Sequence, residues 1–174
     1  GTAAVRRHRP RDSRTRSSPP NTMTLNELIH LLQFADSALP VGAFAFSNAL
    51  ETAVEQRVVY DAATLAEFVG EQLRQSATSD GVAALAARRA TLAGDYEVLL
   101  SIDARLIRSK LSDELRQMLC RMGRKLAELS VQTSGDPILV RWRDDIVARR
   151  TAGSYPVTQG IVFALGGLDA RSLF

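Results

Sequence analysis

The sequence predicts an all-α protein, a single-domain helical bundle of about six to eight short-to-medium helices. From Thr24 onward, apolar residues recur at spacings of three and four, and Ser, Thr or Asp residues precede these runs as helix caps do. No segment alternates apolar and polar residues over more than a few positions, as a half-buried strand would. The 174 residues are enough for one domain with a sizeable core.

The first two helices are predicted on either side of a corner. A capping box over residues 24–27 opens the first helix, which continues to about Asp36. Residues 37–42 break this helix, because they contain a proline, which blocks continuation, and a glycine, which permits positive φ. The second helix then covers residues 43–56. We expect Leu50 to be buried at this corner, together with Leu39 and Phe44.

The next helix has two alternative starts. Either Asp61 or Thr64 caps it, and Thr64 would form a capping box with Glu67. Residues 79–81 then kink or split the helix before a second segment, Val82–Ala93, which Gly94 closes.

The remaining helices are predicted from their caps. Three of them begin at Asp95, at Ser112 or Asp113, and at Asp136 before Pro137. The last of the three is expected to reach about Ala152, and residues 153–156 then interrupt the chain. A final, strongly apolar helix is predicted over residues 157–165.

The positive charge is concentrated at the start of the chain. Residues 1–22 contain six arginines and one acidic residue, and subtracting these from the totals of 22 and 19 leaves 16 basic and 18 acidic residues in 23–174. We therefore predict that 1–22 is a disordered tail, rich in Arg, Ser and Pro, which precedes a natural start at Met23 and is upstream or non-native sequence. The folded domain, 23–174, lacks the basic footprint of a nucleic-acid-binding protein.

The residue types that carry enzymatic or metal chemistry are scarce. The domain has one cysteine, Cys120, and one histidine, His30, which is too few for a clustered metal site. Asp144 and Asp145 are adjacent on a helix and point in different directions, and Cys120 is interpreted as a small buried hydrophobic residue. We expect no enzymatic activity, no directly bound cofactor and no membrane association, and the single cysteine fits the cytoplasm.

The corner between the first two helices carries the most specific motif. The positions that carry this motif are Leu31-Leu32-Gln33, Ala35-Asp36-Ser37, Leu39-Pro40, Gly42, Phe44, Ser47 and Leu50-Glu51. They resemble the signature of the F-type urease accessory proteins. Two further stretches are similar to family segments, namely 121–126 around Gly123-Arg124 and Tyr155-Pro156-Val157 with Gly160. The resemblance covers residues 25–165.

The sequence departs from the family pattern at several positions. Phe46 stands where the family usually has His, Asn48-Ala49 replace a Gly pair, and Ser154 replaces a frequent His. These changes place any histidine-dependent role in question. The family pattern also continues with further helices beyond the region matched here, so we expect this chain to be C-terminally shortened.

The resemblance implies a non-catalytic accessory protein, or chaperone, for urease maturation. Such a protein assists GTP-dependent nickel insertion into apo-urease by bridging the D/H-type accessory protein and the G-type GTPase, and it forms a homodimer. Nickel would be handled by the complex. The implied partner-binding residues are Leu39, Pro40, Gly42, Phe44, Ser47, Glu51 and Tyr155.

The residues alone leave three other functions open. One is a generic helical adaptor unrelated to urease, and a second is nucleic-acid binding through the arginine-rich tail. The third is a helical enzyme whose site needs a partner chain. A further expectation concerns the final helix, residues 157–165, which is apolar around most of its circumference. Without the family's later helices to cover it, we expect the chain to be poorly soluble or self-associated and inactive in urease maturation.

Overall fold

The computed structural model describes Thr24, Leu25, Leu28, Ile29 and residues 49–170. The three apolar residues of the first group are helical. Within 49–170 the chain forms seven α-helices and one π-helical turn, with no strand, which confirms the all-α prediction. The elements are α1 (Leu50–Glu55), α2 (Ala62–Ser76), the π-helical turn (Ala77–Gly81), α3 (Val82–Ala93), α4 (Tyr96–Ser109), α5 (Asp113–Ser134), α6 (Pro137–Val147) and α7 (Tyr155–Leu165).

The centre of the bundle is α7. Its residues 156–164 are buried except for the half-buried Gln159, and α7 packs chiefly against α3 and α5. Gly160 allows the close approach to α3, because a Cβ there would lie 2.3 Å from the backbone oxygen of Ala84. The expectation that α7 needs later helices to cover it is therefore wrong for the described chain, since α3, α5 and the buried Leu168 already cover it.

The side chain of Trp142 joins α6 to this centre. Its ring is fully buried, and its Nε1 donates a hydrogen bond to the hydroxyl of Thr158 at 3.0 Å. A buried indole N–H needs such a partner, so the only tryptophan fixes the register between α6 and α7. Tyr96 of α4 contacts the indole edge-on, with ring centroids 6.3 Å apart.

Helix starts mostly follow the predicted caps. Asp95, Ser112 and Asp136 each accept a backbone hydrogen bond at the start of their helices. For α2 the cap is Asp61, whose side chain accepts from the backbone of Thr64 at 2.8 Å. Thr64 is already inside the helix, so the alternative capping box between Thr64 and Glu67 is wrong.

The predicted break at residues 79–81 is a π-helical turn. It joins α2 to α3 and is held by Lys110, a buried lysine in the α4–α5 connection. Lys110 Nζ lies 2.5 Å from a carboxylate oxygen of Asp80 and 2.9 Å from the hydroxyl of Ser79. The charge of a buried lysine requires such a partner, which explains the conformation of the turn.

Three boundaries differ from the prediction. Helix α1 begins at Leu50 and not near residue 43, because its N-cap, Ala49, has a left-handed φ of 66°. Helix α6 ends at Val147 and not near Ala152, because Arg149 adopts φ of 58° and ends the helical hydrogen bonding. Helix α7 begins at Tyr155 and not at residue 157, because Ser154 is the extended N-cap and Pro156 fits in the first turn.

Candidate partner-binding site

The segment before α7 is fixed by Asp103. This aspartate of α4 is fully buried, and its two carboxylate oxygens accept hydrogen bonds from the hydroxyls of Thr151 and Ser154 and from the backbone N–H groups of Gly153 and Ser154. The two backbone bonds are each 2.8 Å long. Charge-assisted bonds of this kind are among the strong ones, so residues 151–154 are rigidly attached to α4.

The same segment packs against α5 without any space between the backbones. A Cβ on Gly123 would lie 2.0 Å from the backbone oxygen of Gly153 and 2.5 Å from the carbonyl carbon of Ser154. Any side chain larger than hydrogen would push the segment away from the helix. The 121–126 and 155–157 stretches that carried the family resemblance are therefore in contact at Gly123 and Tyr155, which are 32 positions apart in the sequence.

Tyr155 is placed by this contact at the edge of the core. It is half-buried and packs against the core cluster, and burial raises the pKa of its hydroxyl. No hydrogen bond to this hydroxyl is formed by the residues that the structure describes. The ring therefore stabilises the core, while the hydroxyl is left for solvent or a partner.

Glu51 lies elsewhere, in the first turn of the short helix α1. It is exposed, and α1 packs extensively against no other described helix. Leu50 has an intermediate exposure, so most of its surface is covered, in agreement with the expectation that it is largely buried. The five other implied partner-binding residues lie outside the described residues, and they are Leu39, Pro40, Gly42, Phe44 and Ser47.

The departures from the family pattern have structural consequences. Ala49 has φ of 66°, a left-handed conformation that glycine adopts without strain and that L side chains rarely adopt. It stands at one of the positions where the family resemblance predicts a Gly pair. Ser154, which replaces a frequent His, is fully buried and donates its hydroxyl to Asp103.

The described residues contain no group of three His, Cys, Asp or Glu side chains that could hold a metal ion. Asp144 pairs with Arg143, while Asp145 is buried and accepts hydrogen bonds from Arg150 and from the hydroxyl of Tyr96. Cys120 is half-buried and lines a cleft, so it is less buried than the interpretation of a small buried hydrophobic residue implied. Burial, and to a smaller extent the Asp103 carboxylate, raises the pKa of its thiol, which disfavours a nucleophilic thiolate.

Sequence reasoning missed Asp103, although a signal for it was present. Asp103 lies between Leu99 and Leu106 on the buried face of α4, and an acidic residue on such a face must be paired. Its partners could not be predicted, because they are about 50 positions away in a segment without regular structure.

Among helices of the described chain, none is long and apolar enough to cross a membrane.

Comparisons with known proteins identify the family. The family model UreF matches residues 59–174. The urease accessory protein UreF 2 of Brucella canis is 46% identical over 151 residues, which are 87% of this chain and 62% of the relative. The urease accessory protein UreF of Yersinia pseudotuberculosis is 43% identical over 151 residues, or 87% of this chain and 66% of the relative.

This chain thus spans less than two thirds of the length of these relatives. No solved structure matches it. The family match includes α2 to α7, and with them the Asp103 anchor, the contact at Gly123 and the Tyr155 corner. The chain therefore belongs to the UreF family.

Proposed function

We propose that this chain acts as a non-catalytic accessory protein in urease maturation. It would bridge the D/H-type accessory protein and the G-type GTPase and so assist GTP-dependent nickel insertion into apo-urease. The observation that supports this proposal is the UreF family match over residues 59–174. Relatives that are 43–46% identical to this chain are themselves named urease accessory proteins, which supports it further. Nickel is the cargo of the complex in this proposal, and the chain binds no cofactor of its own.

The helical body supports a role in binding proteins. Tyr155 is rigidly placed by the Asp103 anchor, with its ring packed and its hydroxyl unused by the described residues. Glu51 is an exposed carboxylate on a short helix, and it is the last residue of the family's signature segment. Tyrosine is enriched at protein interfaces, and a rigid support reduces the entropy lost on binding. The two residues would contribute to separate parts of a partner surface.

Complementation tests the proposal. The chain would be expressed in a urease-positive bacterium from which the F-type gene has been deleted, and urease activity and urease-bound nickel would be measured. In parallel, a tagged chain would be used to capture the D/H-type protein and the G-type GTPase. We expect capture of both. A correctly folded chain, helical by circular dichroism, that captures neither protein would contradict the proposal.

Matched variants test the two residues. Glu51→Ala is compared with Glu55→Ala, which removes another exposed carboxylate from the same helix. Tyr155→Phe is compared with Tyr60→Phe, which alters an exposed tyrosine outside the regular helices. We expect Glu51→Ala and Tyr155→Phe to weaken capture by at least about fivefold, or roughly 1 kcal/mol. Equal effects in the controls would remove these two residues from the interface.

A further inference from the structure

A basic cleft lies between α4, α5 and the segment that follows α6. Its volume is about 600 Å³, which is within the size range of ligand sites. Five arginines line it, and the apolar side chains of Leu100, Ile107 and Ile146 form much of the remaining wall. The arginines come from three elements, and they are Arg108, Arg121, Arg124, Arg149 and Arg150.

The cleft has a positive charge to which Arg108 and Arg149 contribute, since neither forms an ion pair with a described residue. Arg124 pairs with Glu128, and Arg150 pairs with Asp145. Asp103 is the one acidic residue among the described residues that line the cleft, and its oxygens already accept four hydrogen bonds. The excess of charge is local, because residues 23–174 contain more acidic than basic residues.

Two buried carboxylates hold the arginine-bearing segment in place. Asp145 accepts from the guanidinium of Arg150, and Asp103 accepts from the hydroxyl of Thr151. Arg149 lies after the end of α6 and just before Arg150 and Thr151. It adopts φ of 58°, a conformation in which glycine or asparagine is the usual residue after a helix. Arg149 therefore lines the cleft from a left-handed backbone position.

We propose that this cleft binds an acidic peptide segment of a partner protein. Planar guanidinium groups match the geometry of carboxylates, and the apolar wall suits the aliphatic side chains between them. A nucleotide is a poorer fit, because no aromatic side chain among the described lining residues offers a surface for base stacking. The proposal does not depend on the role in urease maturation.

The test is a fluorescence-anisotropy titration of the full chain with a labelled peptide of about eight residues in which Glu alternates with Leu. The cleft variant is Arg108→Gln with Arg149→Gly. The control variant is Arg89→Gln with Arg57→Gly. Arg57 is a close match for Arg149, since it also follows a helix with φ of 58°, and Arg89 is an exposed arginine on α3. Both variants retain residues 1–22 and lose two charges and one strained backbone position.

We expect saturable binding that weakens as the salt concentration rises, because the interaction is between charges. The cleft variant should bind at least about tenfold more weakly than the original chain, and the control variant within about twofold. Equal weakening in both variants would show that total charge or the tail is responsible and would overturn the proposal. Absence of saturable binding, or displacement of the peptide by equimolar GTP or inorganic phosphate, would also overturn it.

Discussion

The backbone N–H of Ser154 donates a 2.8 Å hydrogen bond to the carboxylate of Asp103, and the hydroxyl of the same serine donates to the same oxygen. Through this pair, α4 determines the position of the N-cap of α7, the central helix of the bundle. One buried charge therefore fixes both the loop after α6, which carries two of the cleft arginines, and the start of the helix that carries Tyr155.

Asp103→Asn should destabilise the fold strongly. The amide nitrogen would face backbone N–H groups, and at least one buried donor would lose its acceptor, so we expect a loss of about 2–4 kcal/mol in the free energy of unfolding. Chemical denaturation measures the loss. Asp144→Asn is the control, because its exposed pair with Arg143 should contribute less than about 1 kcal/mol. Similar losses in the two variants would show that the buried network does not hold the loop.

Substitution of two helical glycines by alanine should have opposite effects. Gly123→Ala would place its Cβ 2.0 Å from the backbone of Gly153, and we expect a loss of about 3 kcal/mol or more, because backbone cannot move aside as a side chain can. Gly70→Ala on α2 meets only the end of Arg74 at 3.9 Å and should stabilise the fold by about 0.5–1 kcal/mol. Thermal unfolding of both variants checks the signs. If Gly123→Ala is also neutral or stabilising, the close α5–loop contact is wrong.

Ala49→Gly should relieve strain before α1. A left-handed residue with a Cβ costs about 1–2 kcal/mol, while glycine adds entropy to the unfolded chain, so we expect a net gain of about 0.5–1 kcal/mol. The control is Ala66→Gly in the interior of α2, which should lose about 1 kcal/mol. Equilibrium denaturation distinguishes them. A loss of stability in Ala49→Gly comparable to that in Ala66→Gly would contradict the left-handed conformation.

Alkaline pH should destabilise the fold through Tyr96. Burial, with help from the hydrogen bond to Asp145, raises the pKa of Tyr96 above its ordinary value of 10.0. The neutral hydroxyl is thus favoured in the folded state, so its stabilising contribution is complete below pH 10 and is lost as the pH rises above that value. In urea titrations at several alkaline pH values, stability should fall less steeply in Tyr96→Phe than in the original chain. Tyr60→Phe, at an exposed site, should keep the original slope; a steep fall in Tyr96→Phe would contradict the assignment.

The helices and most of their starts follow from local patterns along the chain. Asp95, Ser112 and Asp136 could be recognised because a cap bonds to backbone only two or three residues away, and the apolar spacing identifies the buried faces of α4 to α7. The family resemblance likewise rested on short segments whose order is read directly along the chain. The local pattern gave a wrong end for α6, which was predicted to continue through residues 148–152, because Arg149 is left-handed and ends the helix early.

Which residues these helices bring together depends on how distant segments pack. The partners of Asp103, and Tyr96 as a partner of Asp145, lie on other elements. The basic cleft combines arginines from three elements, so no local pattern indicates it. The burial of α7 is another example, because its apolar circumference suggested that helices covering it were missing. In the structure α3 and α5 cover α7, and small residues such as Gly160 and Ala84 allow the close contact between α7 and α3. Local hydrogen bonding fixes a helix, whereas packing between distant segments fixes a site, because the latter depends on which surfaces fit together in space.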